Sequence, residues 1–214
     1  ENFPHSPWGF YYSSLVAEHQ SDTSRALWLL EKAQQLDKSI ALLPYQKGRV
    51  LLKISDYENA RKEFVQALRL DDHLPDAHLY LGQFALRDQN YKLAEMYFQG
   101  ALRYQAFNHD ALFGSAQCKV QLGDVKMALD YAERLISANK KDLEVRLFKA
   151  FVLESYVQNL EDALTEYRLI FAMNVTQRKE LIGESELNSK IKSIEGILKN
   201  KKQELARNVA GSKK

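Results

Sequence analysis

The 214-residue sequence predicts an all-α solenoid of five helix-turn-helix hairpins in series, followed by one further helix. Three observations predict it. Alanines recur at Ala26, Ala60, Ala94, Ala128 and Ala163, spaced 34, 34, 34 and 35 residues apart, and a fixed period of this size marks stacked repeats. A second series of small residues, Ser14, Gly48, Gly82, Ala116 and Ala150, keeps a constant spacing of 34 and interleaves with the first. A third, Ala33, Ala67 and Ala101, continues in phase as Leu135 and Ile170.

Each unit reads as two amphipathic helices joined by a short turn. In the second unit the pattern predicts a first helix over 45–54, a turn at Ser55-Asp56 and a second helix over 57–70. The turns recur as Ser21-Asp22, Ser55-Asp56, Gln89-Asn90 and Gly123-Asp124. Asp, Asn and Ser in such places cap the following helix by accepting from its free amides. Small residues where two helices cross let the backbones approach toward about 8 Å. The alanine of the second helix is therefore expected to meet the small residue of the first, with Phe64, Phe98 and Tyr167 filling the space between hairpins. Pro44 falls early in a first helix, where the first turn tolerates it. The units are placed at 7–40, 41–74, 75–108, 109–142 and 143–177, after a short extension, 1–6. The fifth holds one extra residue near Val157-Gln158-Asn159, so its turn is expected to be irregular.

After Thr176 the pattern stops and Gly183 interrupts the chain. The segment 178–210 reads as mainly one long helix, with 211–214 a disordered tail. Its apolar residues Leu187, Ile191, Ile194, Leu198 and Leu205 alternate steps of four and three, interrupted by Lys201. Such a stripe suits either a cap on the fifth hairpin or a coiled-coil or partner helix, which leaves self-association open. From Lys199 onward the helix is expected to be solvated.

Composition narrows the function. With 30 basic against 28 acidic side chains, a net charge of +2 and 45% hydrophobic residues, the chain is an ordinary globular one. It lacks the basic excess of a dedicated nucleic-acid binder. Charge is uneven, though: between Lys190 and Lys214 the basic residues are opposed only by Glu195 and Glu204. Contact with nucleic acid or an anionic membrane surface is thus the alternative function, against the plainer reading of a solvated helix face. The single Cys118 excludes an internal disulfide framework and a multi-cysteine metal site, and reads as a small core residue. No apolar run approaches the roughly 20 residues of a membrane span, and the first residues carry no signal pattern. A cytoplasmic location is expected, with a periplasmic or exported mature form left open. The histidines, His5, His19, His73, His78 and His109, lack metal-ligand spacing. No glycine-rich phosphate loop occurs and no carboxylate pair is singled out. The expectation is therefore no cofactor, no metal, no small-molecule substrate and no enzymatic activity. Asn174-Val175-Thr176 fits the glycosylation pattern.

The third unit carries His78, Leu81-Gly82, Ala85, Tyr91, Ala94, Phe98 and Ala101. In these residues, and in its 34-residue period, the chain resembles the tetratricopeptide repeat family over about 80% of its length. The resemblance implies a right-handed superhelix whose first helices line a concave groove for a peptide or helix of a partner protein. The chain departs from the family at the ends of the units, where Lys38, Asp72, Ala106 and Lys140 stand in place of a frequent proline.

Carried over residue by residue, the resemblance puts Tyr11, Tyr45, Arg49, Lys53, Leu79, Gln83, Arg87, Phe113, Gln117 and Phe151 in the groove. Aromatic residues and Arg are frequent interface anchors. Arg49, Lys53 and Arg87 read as one basic cluster, and Asp76, Asp110 and Glu144 open successive first helices, where the helix dipole favours them. Chaperone-binding members grip a terminal carboxylate with Lys, Asn and Arg; the matching positions here are Tyr11, Leu15, Asp76 and Tyr80, so that clamp is absent. The expected ligand is an apolar helix or extended segment. A groove residue is exposed, so Arg49→Glu is expected to leave stability nearly unchanged.

Overall fold

The computed structural model describes residues 6–173 and 181–211, the side chains of 208–211 excepted. Five helical hairpins are present: α1 (Pro7–His19) with α2 (Thr23–Leu36), α3 (Leu42–Lys53) with α4 (Tyr57–Leu70), α5 (Pro75–Arg87) with α6 (Tyr91–Tyr104), α7 (His109–Gln121) with α8 (Val125–Ala138), and α9 (Leu143–Val152) with α10 (Leu160–Ala172). A π-helical turn, Leu153–Val157, prolongs α9, and α11 (Glu184–Gly211) is the last described helix. The described residues are all-α, with no strand among them. They form two compact units, residues 1–118 and 119–214. The glycosylation pattern at Asn174 lies outside the described residues.

The hairpin turns share one construction. Asp22, Asp56, Asn90, Asp124 and Asn159 each accept, through a side-chain oxygen, from the amide three residues on, at 3.0–3.3 Å. Each such cap contributes about 1 kcal/mol. The residue before the cap, Ser21, Ser55, Gln89, Gly123 or Gln158, takes a positive φ between 56° and 83°. The serines of the predicted turns are thus not caps; they supply the left-handed step that reverses the chain. In the first four turns the capping residue's N–H donates to the carbonyl five residues back; in the fifth, Asn159 N–H reaches six back, to Leu153. The extra residue of the fifth unit is absorbed by the π-helical turn. The expected irregularity therefore lies in the first helix, and the turn itself keeps its left-handed residue and its cap.

One further expectation is corrected. The first helix of the second unit begins at Leu42, not Tyr45, because Pro44 fits its first turn and is buried there. The missing unit-end prolines are replaced by side-chain turns: Asp37, Asp71 and Asn139 accept from the amides of Ser39, His73 and Lys141 at 2.8–3.1 Å.

Every member of the three phased series is buried. The small residues of the first helices do not, however, simply meet the alanines. In the second and third hairpins the phenylalanine four positions past the alanine lies over them. A Cβ on Gly48 would stand 2.8 Å from the Phe64 ring, and one on Gly82 would stand 2.7 Å from the Phe98 ring. Gly114 on α7 presses the same Phe98 ring still more closely. Absence of a Cβ lets a whole benzyl group lie flat against the helix backbone. Phe64 also stacks on Tyr80, with centroids 4.8 Å apart and planes inclined by 17°, joining α4 to α5.

In the second unit, Tyr167, Ile170, Leu187 and Ile194 share one core cluster, with Ile191 and Leu198 packed against it. Leu187, Ile191, Ile194 and Leu198 of the four-three stripe are thus occupied by α10, and α11 covers the fifth hairpin. Lys199 to Arg207 are exposed. Glu154 ties the layers together, accepting from the Tyr167 hydroxyl at 2.6 Å and from Lys190 Nζ at 3.1 Å. Burial acts to raise the Glu154 carboxyl, but these hydrogen bonds and the Lys190 charge outweigh it and hold the group below the usual glutamate value. A second network links α8, α9 and α10: Glu166 takes Arg146 and Lys149, each at 2.7 Å, and Lys149 also reaches Glu133.

Candidate functional site

The first helices of the first unit set equivalent residues 34 apart side by side. Two columns result. Tyr11, Tyr45, Leu79 and Phe113 form one, and Arg49, Gln83 and Gln117 the other. All seven keep at least part of their surface exposed, as do Lys53 and Arg87. The tenth predicted residue, Phe151, is exposed on the second unit, edge-on to Tyr156 at 5.9 Å.

The columns are braced from beneath by polar contacts. Glu18 on α1 is 9% exposed and collects three partners from α3: Gln46 Nε2, Lys53 Nζ at 2.6 Å and, at longer range, Arg49 at 3.9 Å. Arg49 also donates to Gln46 Oε1 at 3.2 Å and lies 6.0 Å over the Tyr45 ring. One hairpin on, the Tyr45 hydroxyl donates to Asp76 Oδ2 at 3.1 Å. Burial, followed by the negative charge of Asp76, holds that hydroxyl protonated well above the usual tyrosine range. Tyr11 is likewise raised, first by burial and then by neighbouring Tyr12.

These contacts split the predicted basic cluster. Lys53 pairs with buried Glu18 and Arg49 approaches the same carboxylate at longer range, whereas Arg87 lies 4.6 Å over the Tyr57 ring and 5.6 Å from that of Phe84. Arg49 and Lys53 thus gather on one carboxylate and Arg87 on aromatic faces. The expected neutrality of Arg49→Glu is corrected for the same reason: a second carboxylate there would face Glu18, and a loss of stability measurable in urea unfolding is expected. Asp76 is more than a helix-start residue, since it is the acceptor that links α5 to α3.

Glu18 was missed by sequence reasoning, yet it left a signal. It occupies the register of Leu52, Leu86 and Val120, and Glu154 occupies that register in the fifth unit. Both acids interrupt an apolar column, and both anchor basic side chains. The histidines stay apart in chemistry: His73, His78 and His109 each face a nearby aspartate, Asp71, Asp72 and Asp110 respectively. Cys118 is buried in the core. Among the described residues no group of three or more His, Cys, Asp or Glu is placed to hold a metal ion. None of their helices is long and apolar enough to cross a membrane.

Comparison with known proteins agrees with this construction. The pattern that defines the tetratricopeptide repeat matches residues 45–106 and 85–142. Among curated proteins, U-box domain-containing protein 70 of Oryza sativa subsp. japonica is 28% identical over 127 residues, which is 59% of this chain and 16% of that protein. Anaphase-promoting complex subunit 3 of Schizosaccharomyces pombe is 26% identical over 153 residues, 72% of this chain and 23% of that protein. The chain thus spans less than a quarter of the length of either relative. Among solved structures, YrrB, described as a TPR protein with an unusual peptide-binding site, superposes with a TM-score of 0.69 at 23% identity, covering 78% of this chain and 84% of that one. PilF of Pseudomonas aeruginosa gives a TM-score of 0.62 at 18% identity, covering 91% and 90%.

Proposed function

We propose that the chain, whose residues 45–142 match the tetratricopeptide repeat, is a protein-binding module that takes an extended peptide or helix of a partner protein along the first helices of residues 7–118. The observation that carries this reading is the pair of columns. Tyr11, Tyr45, Leu79 and Phe113 offer partly exposed apolar surface at a regular interval, and Arg49, Gln83 and Gln117 run beside them with polar ends. Apolar side chains can desolvate those of a ligand, while side-chain amides donate to and accept from its backbone. The polar braces beneath hold Tyr45 and Arg49 in place before any ligand arrives, which lowers the ordering cost of binding. With Tyr11, Leu15, Asp76 and Tyr80 where a carboxylate clamp would need Lys, Asn and Arg, the ligand is recognised by apolar side chains and backbone rather than by a terminal carboxylate. The chain acts as a binding module with no chemistry of its own.

Gln83 and Gln117 are the residues to test, because neither serves as a brace. A displayed library of random peptides selected on the wild-type chain should yield sequences with a shared apolar spacing. Their affinity should fall at least tenfold for Gln83→Lys/Gln117→Lys, with the circular dichroism spectrum unchanged. Equal affinity for both proteins would move the site away from these columns.

A further inference from the structure

On α5 and α7 the two columns belong to one longer stripe. It runs Asp76, Leu79, Gln83 on α5 and Asp110, Phe113, Gln117 on α7. Steps of three and four keep such residues on a single helix face. A ligand lying across these helices therefore meets three parallel rows: carboxylates at one edge, apolar side chains in the middle and side-chain amides beyond. Asp76, Gln83 and Asp110 are exposed, and Leu79, Phe113 and Gln117 are partly so.

The interval between helices selects the backbone of the ligand. Neighbouring first helices touch directly, Glu18 on Lys53 at 2.6 Å and Tyr45 on Asp76 at 3.1 Å, and helices in contact lie about 8–10 Å apart. Residues on one face of a β-strand recur at about 6.7 Å, which is too short. In a polyproline-II segment every third residue returns to the same face after about 9.3 Å, which fits. Seven residues of an α-helix rise about 10.5 Å, which fits nearly as well. The amide row separates these two. A helix has already bonded its own backbone groups, so the ends of Gln83 and Gln117 would find only side chains on it. A polyproline-II segment has no internal hydrogen bonds and presents a free carbonyl at each residue, to which a side-chain amide can donate.

The outer row sets the charge. Asp76 accepts from the Tyr45 hydroxyl, a neutral donor that leaves its negative charge in place, and Asp110 meets His109 on its own helix. Three residues per turn give the ligand three faces. With the apolar face on the middle row and carbonyls toward the amides, one face is left toward the two carboxylates.

Given that the columns are the binding site, we infer that their ligand is a polyproline-II segment of a partner protein, with an apolar residue at every third position and lysine or arginine in the row that faces Asp76 and Asp110.

Three fluorescent peptides of equal net charge are titrated against the full chain and read by anisotropy. One is four repeats of Leu-Pro-Lys. The second has the same twelve residues in an order that breaks the three-residue step. The third is a lactam-bridged helix with leucines seven apart. The first should bind saturably and at least tenfold more tightly than the others. Its affinity should fall at least tenfold with Gln83→Leu/Gln117→Leu, which removes the amides and keeps apolar bulk. It should fall severalfold with Asp76→Asn/Asp110→Asn, which removes the charges and keeps an acceptor for the Tyr45 hydroxyl. Equal affinity for the three peptides, or indifference of the first to these substitutions, overturns the inference. Tightest binding by the helix, lost with Gln83→Lys/Gln117→Lys, overturns the ligand class and leaves the columns as the site. Binding of every peptide unchanged by that pair overturns the site as well.

Discussion

Hairpins two and three and hairpin five solve the same packing problem with different chemistry. In α3–α6 a glycine faces a phenylalanine, Gly48 with Phe64 and Gly82 with Phe98, and the contact is dry. In α9–α10 the same register holds Ala150 and Tyr167. The tyrosine hydroxyl is buried with it and must be hydrogen-bonded, which Glu154 provides. Glu154 in turn requires a counter-charge, which Lys190 of α11 provides. The difference teaches that one added oxygen in a core position converts an apolar joint into a polar latch. It also makes the hairpin dependent on the helix that follows it.

Removing the aromatic from the dry joint should have the largest effect. Phe98→Ala deletes a ring enclosed by Gly82 and Gly114, and urea unfolding should report a loss of about 3–5 kcal/mol. Tyr167→Phe, which keeps the ring and leaves Glu154 with Lys190, should cost only about 1 kcal/mol by the same assay. If the two losses are equal, the latch matters as much as the packing and the comparison fails. Next in size, Gly114→Ala would press a methyl into the Phe98 ring and should cost about 1–3 kcal/mol.

The latch predicts a pH dependence that the dry joint lacks. The Glu154 carboxyl in the folded chain lies below its unfolded value. Its contribution is complete above the ordinary glutamate range and is lost as pH falls through the lowered folded value. Hydrogen-exchange protection along α11 from Leu187 to Leu198, relative to the intrinsic rate at each pH, should therefore fall on acidification before that of α4 and α6. Glu154→Gln should remove the difference. The smallest effect is expected at the turns. Gln89 holds a φ of 59°, and Gln89→Gly should stabilise by about 0.5 kcal/mol, the left-handed penalty less the entropy of glycine. A calorimetric melt of the pair reads it.

The period was legible because stacking forces small residues to recur, and Ala26, Ala60, Ala94, Ala128 and Ala163 are all fully buried. The caps were legible because Asp and Asn at a helix start have a local reason to be there. What could not be read was what each side chain meets across the fold. Nothing near Gly114 in sequence announces Phe98, sixteen residues earlier and one helix away. Nothing near Arg87 announces that its guanidinium rests on the Tyr57 ring rather than beside Arg49. The candidate site was legible as positions, since the period sets them in columns, and illegible as electrostatics. Glu18 draws two of the three cations of the expected cluster onto one buried carboxylate.

The π-helical turn at Leu153–Val157 has a consequence for how such a chain can change its length. An added residue in an α-helix rotates everything after it by about 100°, which would have turned Asn159 and Ala163 away from α9. By widening one turn, the helix discards that rotation before the chain reaches Gln158. The fifth hairpin therefore counts 35 where the others count 34, yet hands over to its second helix in phase. Slippage by one residue just ahead of the reversal is a mutation this architecture can absorb, whereas the same slip between Asn159 and Ala163 would have no turn left in which to hide.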